Sequence, residues 1–350
     1  MVAQSPSIVP FEVGGGYLNF SSDNGHWATY KEPTADSETL PDPVGHIVDL
    51  LTGERVDLID PSLNETDGVE CYDITDDGKL VVGCLNSKPA YYKDGHWTIL
   101  KTGDPVADRL YTGAVKSVST DGSWMCGWMY ADFNTLAGYV WHNGERVEIT
   151  NLPGYAEMLA ENIISSEDVP SDPDKQPNII FTEISGDGTK LLGGVDHNHY
   201  GWGASWILYD IPSQTYIWLG DENIRNGSFI NEATMSNNGK WLAGAAYLYD
   251  NAGDMVLSSW RYDVENDKFE IFSEKQDSDI LATSIADDGT IFATSPANSP
   301  QRMVSVRSEG LWIDLAKLLY QNYGINILEE TGYETTGYVT TASSDLHTSG

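Results

Sequence analysis

The segment Asp196-His197-Asn198-His199 combines residue types that bind metal ions. A carboxylate and two imidazoles are ligands that zinc prefers, and in a strand His197 and His199 would share one face. Three ligands within one tetrapeptide seldom converge on a single ion, so a solvated loop is the competing interpretation. The sequence therefore offers Asp196, His197 and His199 as candidate metal ligands.

The same stretch carries aromatic side chains that suit ligand stacking. Tyr200 and Trp202 follow His199 within residues 195–203, which we predict to be a long loop between two strands. Exposed rings stack on sugars and peptides, and binding tends to reside on loops of a rigid scaffold. We therefore predict that His199, Tyr200 and Trp202 bind ligand, and Trp202 is the first position to mutate.

Motifs of covalent and phosphate chemistry do not occur in the sequence. It contains no Gly-x-Ser-x-Gly nucleophile elbow, no phosphate-binding loop and no dinucleotide fingerprint. Residues 21–27 approach the Asp-box of sialidase-type propellers, but the tryptophan comes one residue early. The few arginines also form no readable group for a carboxylated substrate. The catalytic residues are therefore unknown.

A turn signature recurs along the chain and defines a repeat. Its clear copies end in Asp-Gly or Asn-Gly, with the glycines at positions 25, 78, 122, 188, 239 and 289. The glycines are therefore 53, 44, 66, 51 and 50 residues apart. A degenerate seventh copy lies at 342–346. This period corresponds to one four-stranded unit with loops of variable length.

Each turn signature is flanked by the same succession of strand patterns. The second repeat shows the four runs clearly: Val69–Ile74, Leu80–Gly83, Ala90–Tyr92 and Trp97–Leu100. Asp-Gly and Asn-Gly suit tight hairpin turns, and four antiparallel strands at this period form a propeller blade. The sequence thus predicts an all-β fold, a β-propeller of four-stranded antiparallel blades. We expect seven blades, with six as the alternative.

One propeller domain is predicted to span residues 1–350. Its blades are expected near 14–60, 66–103, 113–150, 179–220, 229–273 and 280–315, with a partial blade at 333–350. Loops that interrupt the blades are expected at 101–113, 130–136, 151–180 and 249–257. Apolar residues at helical spacing predict one short C-terminal helix over 311–323, packed under the ring or between the last two blades.

The net charge restricts the partners of this protein. The 53 acidic residues outnumber the 19 basic ones, which gives a net charge of −34. Such a surface repels nucleic acid and anionic membranes but is compatible with cations, basic proteins and neutral glycans. A divalent cation such as calcium is left open, although the turns lack the ligand spacing of an EF-hand. Their Asp side chains are instead expected to bond the turn backbone.

Apolar runs and cysteines give two further expectations. No stretch of about 18 apolar residues occurs, so the sequence predicts no transmembrane segment. Cys71, Cys84 and Cys126 lie in strand patterns and are expected to be buried thiols. A bridge between the first two, which flank one predicted turn, is left open.

The repeat pattern Ile-Ser-x-Asp-Gly-x-x-Val-x-Gly, then Ala-aromatic-x-Trp, resembles the bacterial HAF-type extracellular repeats. Residues 184–194 and 204–206 match best, and Leu311–Leu315 followed by the apolar segment 316–323 is similar to the end of such proteins. The segment Ser305-Val306-Arg307 departs from the pattern because it has no Trp. The resemblance implies an exported or surface protein and no catalytic activity. Residues 1–10 lack the pattern of a signal peptide, so either the protein is cytoplasmic or, as we expect, a leader is absent from this chain.

The leading hypothesis is an exported, non-enzymatic propeller at the cell surface, in the periplasm or secreted. It would bind a protein or glycan ligand through one face of the ring. The alternative is a carbohydrate-active hydrolase or lyase with carboxylates at the ring centre. Fold does not decide between them, because propellers host unrelated functions. The ligand and the oligomeric state are left open.

Overall fold

The computed structural model describes residues 17–22, 25–31, 44–64, 66–110, 112–132, 135–161, 179–196, 204–219, 230–249, 255–272, 281–294, 304–308, 311–324 and 326. Within these ranges the strands form six consecutive antiparallel units of four strands. Four units are separate sheets, and the fourth and fifth units join into one eight-stranded sheet through the pairing of Ala204 with Ile230. This confirms the predicted all-β architecture of four-stranded blades. Residues 333–350, for which a partial seventh blade is predicted, lie outside the described ranges.

The first three units have the following strands. Unit 1 contains β1 (Tyr17–Ser21), β2 (Trp27–Lys31), β3 (Gly45–Asp49) and β4 (Arg55–Leu58). Unit 2 contains β5 (Val69–Ile74), β6 (Leu80–Leu85), β7 (Lys88–Lys93) and β8 (His96–Ile99). Unit 3 contains β9 (Gly113–Val118), β10 (Trp124–Asp132), β11 (Thr135–His142) and β12 (Glu145–Val147).

The last three units follow the same order. Unit 4 contains β13 (Ile179–Ile184), β14 (Lys190–Asp196), β15 (Ala204–Asp210) and β16 (Thr215–Trp218). Unit 5 contains β17 (Ile230–Met235), β18 (Trp241–Tyr249), β19 (Met255–Asp263) and β20 (Lys268–Phe272). Unit 6 contains β21 (Leu281–Ile285), β22 (Ile291–Thr294), β23 (Val304–Ser308) and β24 (Leu311–Asp314).

The hydrophobic core lies between consecutive units. The first strand of each unit, here called its inner strand, packs against strands of the preceding unit. Between units 3 and 4, for example, Cys126 and Val140 pack with Phe181, Leu191 and Ile207. A single four-stranded sheet would leave both of its faces exposed to solvent, so the apolar side chains become buried only when the units stack.

The antiparallel order gives the molecule two different ends. The tight turns that join the first to the second strand and the third to the fourth strand lie together on one side, the turn face. The strand ends that lead from the second to the third strand, such as Asp132, Asp196 and Tyr249, lie on the opposite side. The connections that run between units start there too. We call this side the loop face.

The first turns of units 2 to 5 are closed by their own side chains. In unit 3, Ser119 Oγ donates to Asp121 Oδ1 (2.8 Å), and the same carboxylate oxygen accepts from the Ser123 N–H (2.8 Å). The Trp124 N–H donates back to Ser119 Oγ (3.0 Å). Units 2, 4 and 5 repeat this pattern. The expected role of the turn Asp residues is therefore confirmed.

The turn glycines also join one unit to the next. Gly78 has φ +69°, and a Cβ there would lie 2.5 Å from the Trp27 indole of the preceding unit. The glycines of units 4 and 6 meet Trp124 and Trp241 in the same way. Glycine is thus required twice, because it adopts positive φ without strain and because it leaves room for the ring.

A second contact between units uses an aromatic residue near the end of the third strand. Trp141 Nε1 donates to the Lys101 carbonyl (2.9 Å), and Tyr209 OH donates to the Thr150 carbonyl (2.6 Å). Both carbonyls belong to the segment that leaves the preceding unit. These bonds fix each connection against the outer part of the unit that follows it.

The helices differ in part from the sequence prediction. The predicted helix 311–323 begins at residue 315, as α3 (Leu315–Tyr323), because Leu311–Asp314 pairs with β23 as a strand. Leu315 and Leu318 pack against Ala286 and Phe292 of unit 6. The segments predicted as loops 101–113 and 151–180 contain two short helices, α1 (Pro105–Leu110) and α2 (Tyr155–Ala160).

The lengths of two hairpins and the state of the cysteines can also be compared with the prediction. In units 3 and 5 the paired strands extend into the segments predicted as loops at 130–136 and 249–257. Cys71, Cys84 and Cys126 are buried and form no disulfide, so no bridge joins the first two. Within the described ranges, no helix is long and apolar enough to cross a membrane.

Candidate functional site

The segment predicted to bind metal and ligand is only partly described. Asp196 is the last residue of β14 and pairs with Ala204, which opens β15 on the loop face. His197, His199, Tyr200 and Trp202 lie outside the described residues, so their roles stay predictions. Among the residues that are described, no group of three or more His, Cys, Asp or Glu side chains could hold a metal ion.

The hairpins on either side of this segment are extended toward the loop face. In unit 3 the second and third strands have 9 and 8 residues, and in unit 5 they have 9 each. The corresponding strands of unit 2 have 6 each. The extra residues lie at the loop-face ends of the strands, so units 3 and 5 present longer hairpins there than unit 2 does.

The extension of unit 3 carries a pair of aromatic side chains. The rings of Trp128 and Tyr130 meet edge to face with centroids 5.9 Å apart, and both are half-buried. Trp128 pairs with Gly138, and a Cβ on Gly138 would lie 2.3 Å from the Ile179 carbonyl. Paired residues share one face of a sheet, so the face that carries Trp128 is directed toward unit 4. The predicted ligand loop lies between the second and third strands of that unit.

Sequence reasoning missed this aromatic pair. The second run of the second repeat, Leu80–Gly83, ends at a small residue, and by analogy Gly127 would end the run that begins at Trp124. The continued alternation of Trp128, Met129 and Tyr130 was the available signal, with Met129 fully buried and the two aromatic residues half-exposed.

A second group of polar side chains lies on the inner strands of units 2 and 3. Both strands contain a β-bulge, and the extra residues are Tyr72 and Lys116. Lys116 Nζ lies 3.7 Å from the centroid of the Tyr72 ring, while Tyr72 OH donates to Glu70 Oε2 (2.6 Å). A bulge redirects a side chain out of the ordinary alternation, and here it brings a cation over an aromatic face.

The surroundings of Lys116 change its protonation equilibrium. Burial lowers the pKa of Lys116, while the nearby Glu70 carboxylate acts in the opposite direction. Burial also raises the pKa of Cys84 to about 11, so that thiol stays neutral near pH 7. In the inner-strand cluster of Glu70, Tyr72 and Lys116, the ammonium therefore lies over the aromatic ring, and the nearby carboxylate accepts the hydroxyl of that ring.

Two other carboxylates of the inner strands are used to join units. Asp73 Oδ2 accepts the Val118 N–H of unit 3 (2.9 Å), and Glu183 Oε2 accepts the Met235 N–H of unit 5 (2.6 Å). Ser117 Oγ takes the equivalent Ile184 N–H (3.3 Å). Because these side chains satisfy backbone donors of the next unit, we assign Asp73 and Glu183 to structure rather than to acid–base chemistry.

A buried carboxylate also fixes the connection from unit 1 to unit 2. Asp60 accepts from Ser62 Oγ (2.6 Å), from the Trp97 N–H (2.7 Å) and interacts with His96 Nδ1 (3.3 Å). Burial acts to raise the pKa of Asp60, but these hydrogen bonds outweigh it and lower the pKa to about 2. The carboxylate is therefore ionised and fully engaged at neutral pH.

Comparison with known proteins supports the fold. No protein-family profile matches the sequence, and no curated protein matches it. Among solved structures, the chain is similar to a prolyl endopeptidase, at 13% identity over 86% of this chain and 42% of that one, with a TM-score of 0.52. It is also similar to TolB from Acinetobacter baumannii, at 16% identity over 83% of this chain and 63% of that one, with a TM-score of 0.45.

A third similar structure is the β-propeller domain of the Trilobed protease from Pyrococcus furiosus. Its identity is 9% over 88% of this chain and 72% of that one, with a TM-score of 0.39. The chain thus spans 63% of the TolB chain and 42% of the endopeptidase chain. At these identities the likeness concerns the fold alone: the chain is a β-propeller of four-stranded antiparallel blades.

Proposed function

We propose that this chain is an exported, non-enzymatic β-propeller that binds a protein or glycan ligand through its loop face. One observation carries the proposal. The extended hairpins and the half-exposed Trp128–Tyr130 pair lie on the loop face, opposite a face of short turns that satisfy their own polar groups. Binding tends to reside where loops vary on a rigid scaffold, and aromatic side chains are frequent anchors of such sites.

Charge narrows the class of ligand. The net charge of −34 favours neutral glycans and basic proteins over nucleic acids and anionic membranes. The resemblance of the repeats to HAF-type extracellular repeats supports export. The engaged state of Asp73 and Glu183 argues against a carboxylate pair at the ring centre, so the hydrolase or lyase alternative receives less support from this geometry.

The first experiment is a binding screen with loop-face variants. Thermal melting of the wild-type chain is measured against a panel of neutral oligosaccharides and basic peptides, since a ligand at 100 times its Kd stabilises by about 2.7 kcal/mol. Trp128→Ala and Trp202→Ala are expected to weaken binding of any hit by about 10-fold or more. The same hit is assayed for turnover, and cleavage of a glycan would favour the enzymatic alternative.

The matched control lies on the turn face. His142 is exposed and stacks on Trp124, so His142→Ala also removes an accessible aromatic ring. It is expected to leave ligand affinity unchanged. A hit whose affinity falls with His142→Ala and not with Trp128→Ala or Trp202→Ala would place binding on the wrong face for this proposal.

A further inference from the structure

We infer that Lys116 and Tyr72, on the inner strands of units 3 and 2, form a subsite for the C-terminal carboxylate of a basic peptide. The inference rests on the proposed function and names the ligand class for one part of it. The side chains belong to adjacent units, so the subsite exists only where two inner strands pack together.

The hydrogen-bond donors of Lys116 motivate the inference. Among the described residues, the ammonium makes no hydrogen bond and no ion pair, and it lies over the face of the Tyr72 ring at 3.7 Å from the centroid. The Glu70 carboxylate, which could have paired with it, instead accepts the Tyr72 hydroxyl. A half-buried ammonium with unused donors gains from an anionic acceptor more than an exposed lysine does.

The location of the pair suits the end of a chain rather than its middle. Inner strands surround the centre of a propeller, where a central channel runs between the two faces. Glu70 is exposed and Tyr72 is half-buried, so the cluster is open to solvent. A peptide terminus can enter such a position end-on, whereas an internal stretch of a polymer would have to thread through it.

Charge decides between a peptide and an acidic glycan. A polysaccharide with a carboxylate on every sugar would be repelled by a protein of net charge −34. A peptide with basic side chains has one carboxylate at its end and is attracted along the rest of its length. Glu70 lies near Lys116 and competes with the incoming carboxylate, so its removal should strengthen binding.

The test uses the full chain and paired peptide pools. Acetylated random hexapeptides with two lysines each are synthesised as free acids and as C-terminal amides, and their affinities for immobilised protein are compared. Free acids are expected to bind about 10-fold or more tightly than amides, the range of a charge-assisted hydrogen bond. Lys116→Met should abolish this preference, Lys116→Arg should retain it, and Glu70→Gln should increase it severalfold.

Lys79→Met provides the matched control, because Lys79 is an exposed turn-face lysine already paired with Asp77. It should leave the preference unchanged. Equal affinity for acids and amides, absence of peptide binding, or a preference that survives Lys116→Met with native melting behaviour would overturn the inference. The proposed function fails separately, because it requires that some protein or glycan depend on Trp128 or Trp202, whatever its terminus.

Discussion

The turn face and the loop face of this propeller are built on different rules. On the turn face, units 2 to 5 repeat the same hydrogen bonds between a Ser or Thr and an Asp or Asn two residues later. On the loop face, the second and third strands are separated by Asn86 and Ser87 in unit 2 but by residues 197–203 in unit 4. The turns are set by local chemistry and by contact with the next unit, so they recur. The loop-face connections are less constrained by local hydrogen bonds and by contact with the next unit, so they differ between units.

Under the proposed function, this difference separates the residues that set stability from those that would bind ligand. Each first turn contributes to its own closure and to an interface, so a change there affects two units. A change at a half-exposed loop-face residue such as Trp128 removes contact with one neighbouring ring. We therefore expect the free energy of unfolding to depend strongly on the turn face and ligand affinity to depend on the loop face.

The largest effect on stability is expected for Gly78→Ala. The new methyl group would meet Trp27 at 2.5 Å in a backbone with φ +69°, so strain and overpacking add. We expect a loss of about 2–5 kcal/mol, measured by urea unfolding. Gly95→Ala is the matched control, because Gly95 has φ +86° and no atom within 4 Å of its Cβ position. It should cost about 1–2 kcal/mol, and equal losses for the two variants would contradict the interface role of Gly78.

An intermediate effect, with a distinct pH dependence, is expected for Asp60→Asn. The pKa of Asp60 is lowered in the folded chain to about 2 from an ordinary 3.8, so its contribution is present above about pH 4 and is lost as the pH falls through about 2. We expect the variant to be less stable at pH 7 by about 1–3 kcal/mol. The gap from wild type should narrow between pH 4 and pH 2 in unfolding curves. A gap that stays constant over this range would show that the carboxylate charge of Asp60 does not matter.

The smallest effect is expected for Trp141→Phe. Trp141 and Trp260 are both fully buried at equivalent depths, but only Trp141 has an acceptor for its indole N–H, the Lys101 carbonyl. Both substitutions remove similar apolar area, and Trp141→Phe also leaves a carbonyl unpaired. We expect it to be about 1 kcal/mol more destabilising than Trp260→Phe. Equal unfolding midpoints for the two variants would show that this contact between units adds nothing to stability.

The sequence predicted the parts of the fold that depend on local chemistry. The spacing of Asp-Gly and Asn-Gly gave the number and order of the described units, because a tight turn is specified by two or three residues. The helical pattern at 311–323 was wrong in its first turn, since pairing of Leu311–Asp314 with β23 overrides local spacing. The short helices α1 and α2 were missed because six residues are too few to show a clear period.

The candidate site was harder to predict for a physical reason. Trp128 and Tyr130 are recognisable only when the hairpin of unit 3 is seen to continue past the point where the others stop. Lys116 and Tyr72 are 44 residues apart in sequence and meet only because two bulges and the packing of two units bring them together. Contacts of this kind follow from the assembly of the units and leave no signature in a linear pattern.

The contact between a turn glycine and the preceding unit also affects how the number of repeats in such a chain can change. A complete repeat carries a glycine turn that fits its predecessor and a residue, such as Trp124, that receives the turn of its successor. Repeats that carry both features can therefore be neighbours, as the Trp residues that receive the turns of units 2, 4 and 6 show. Duplication or loss of one whole repeat would leave the adjoining surfaces compatible, whereas a break inside a repeat would separate the two halves of a contact. The fold is thus modular at the scale of the unit, and genetic rearrangement in whole units is the change it tolerates best.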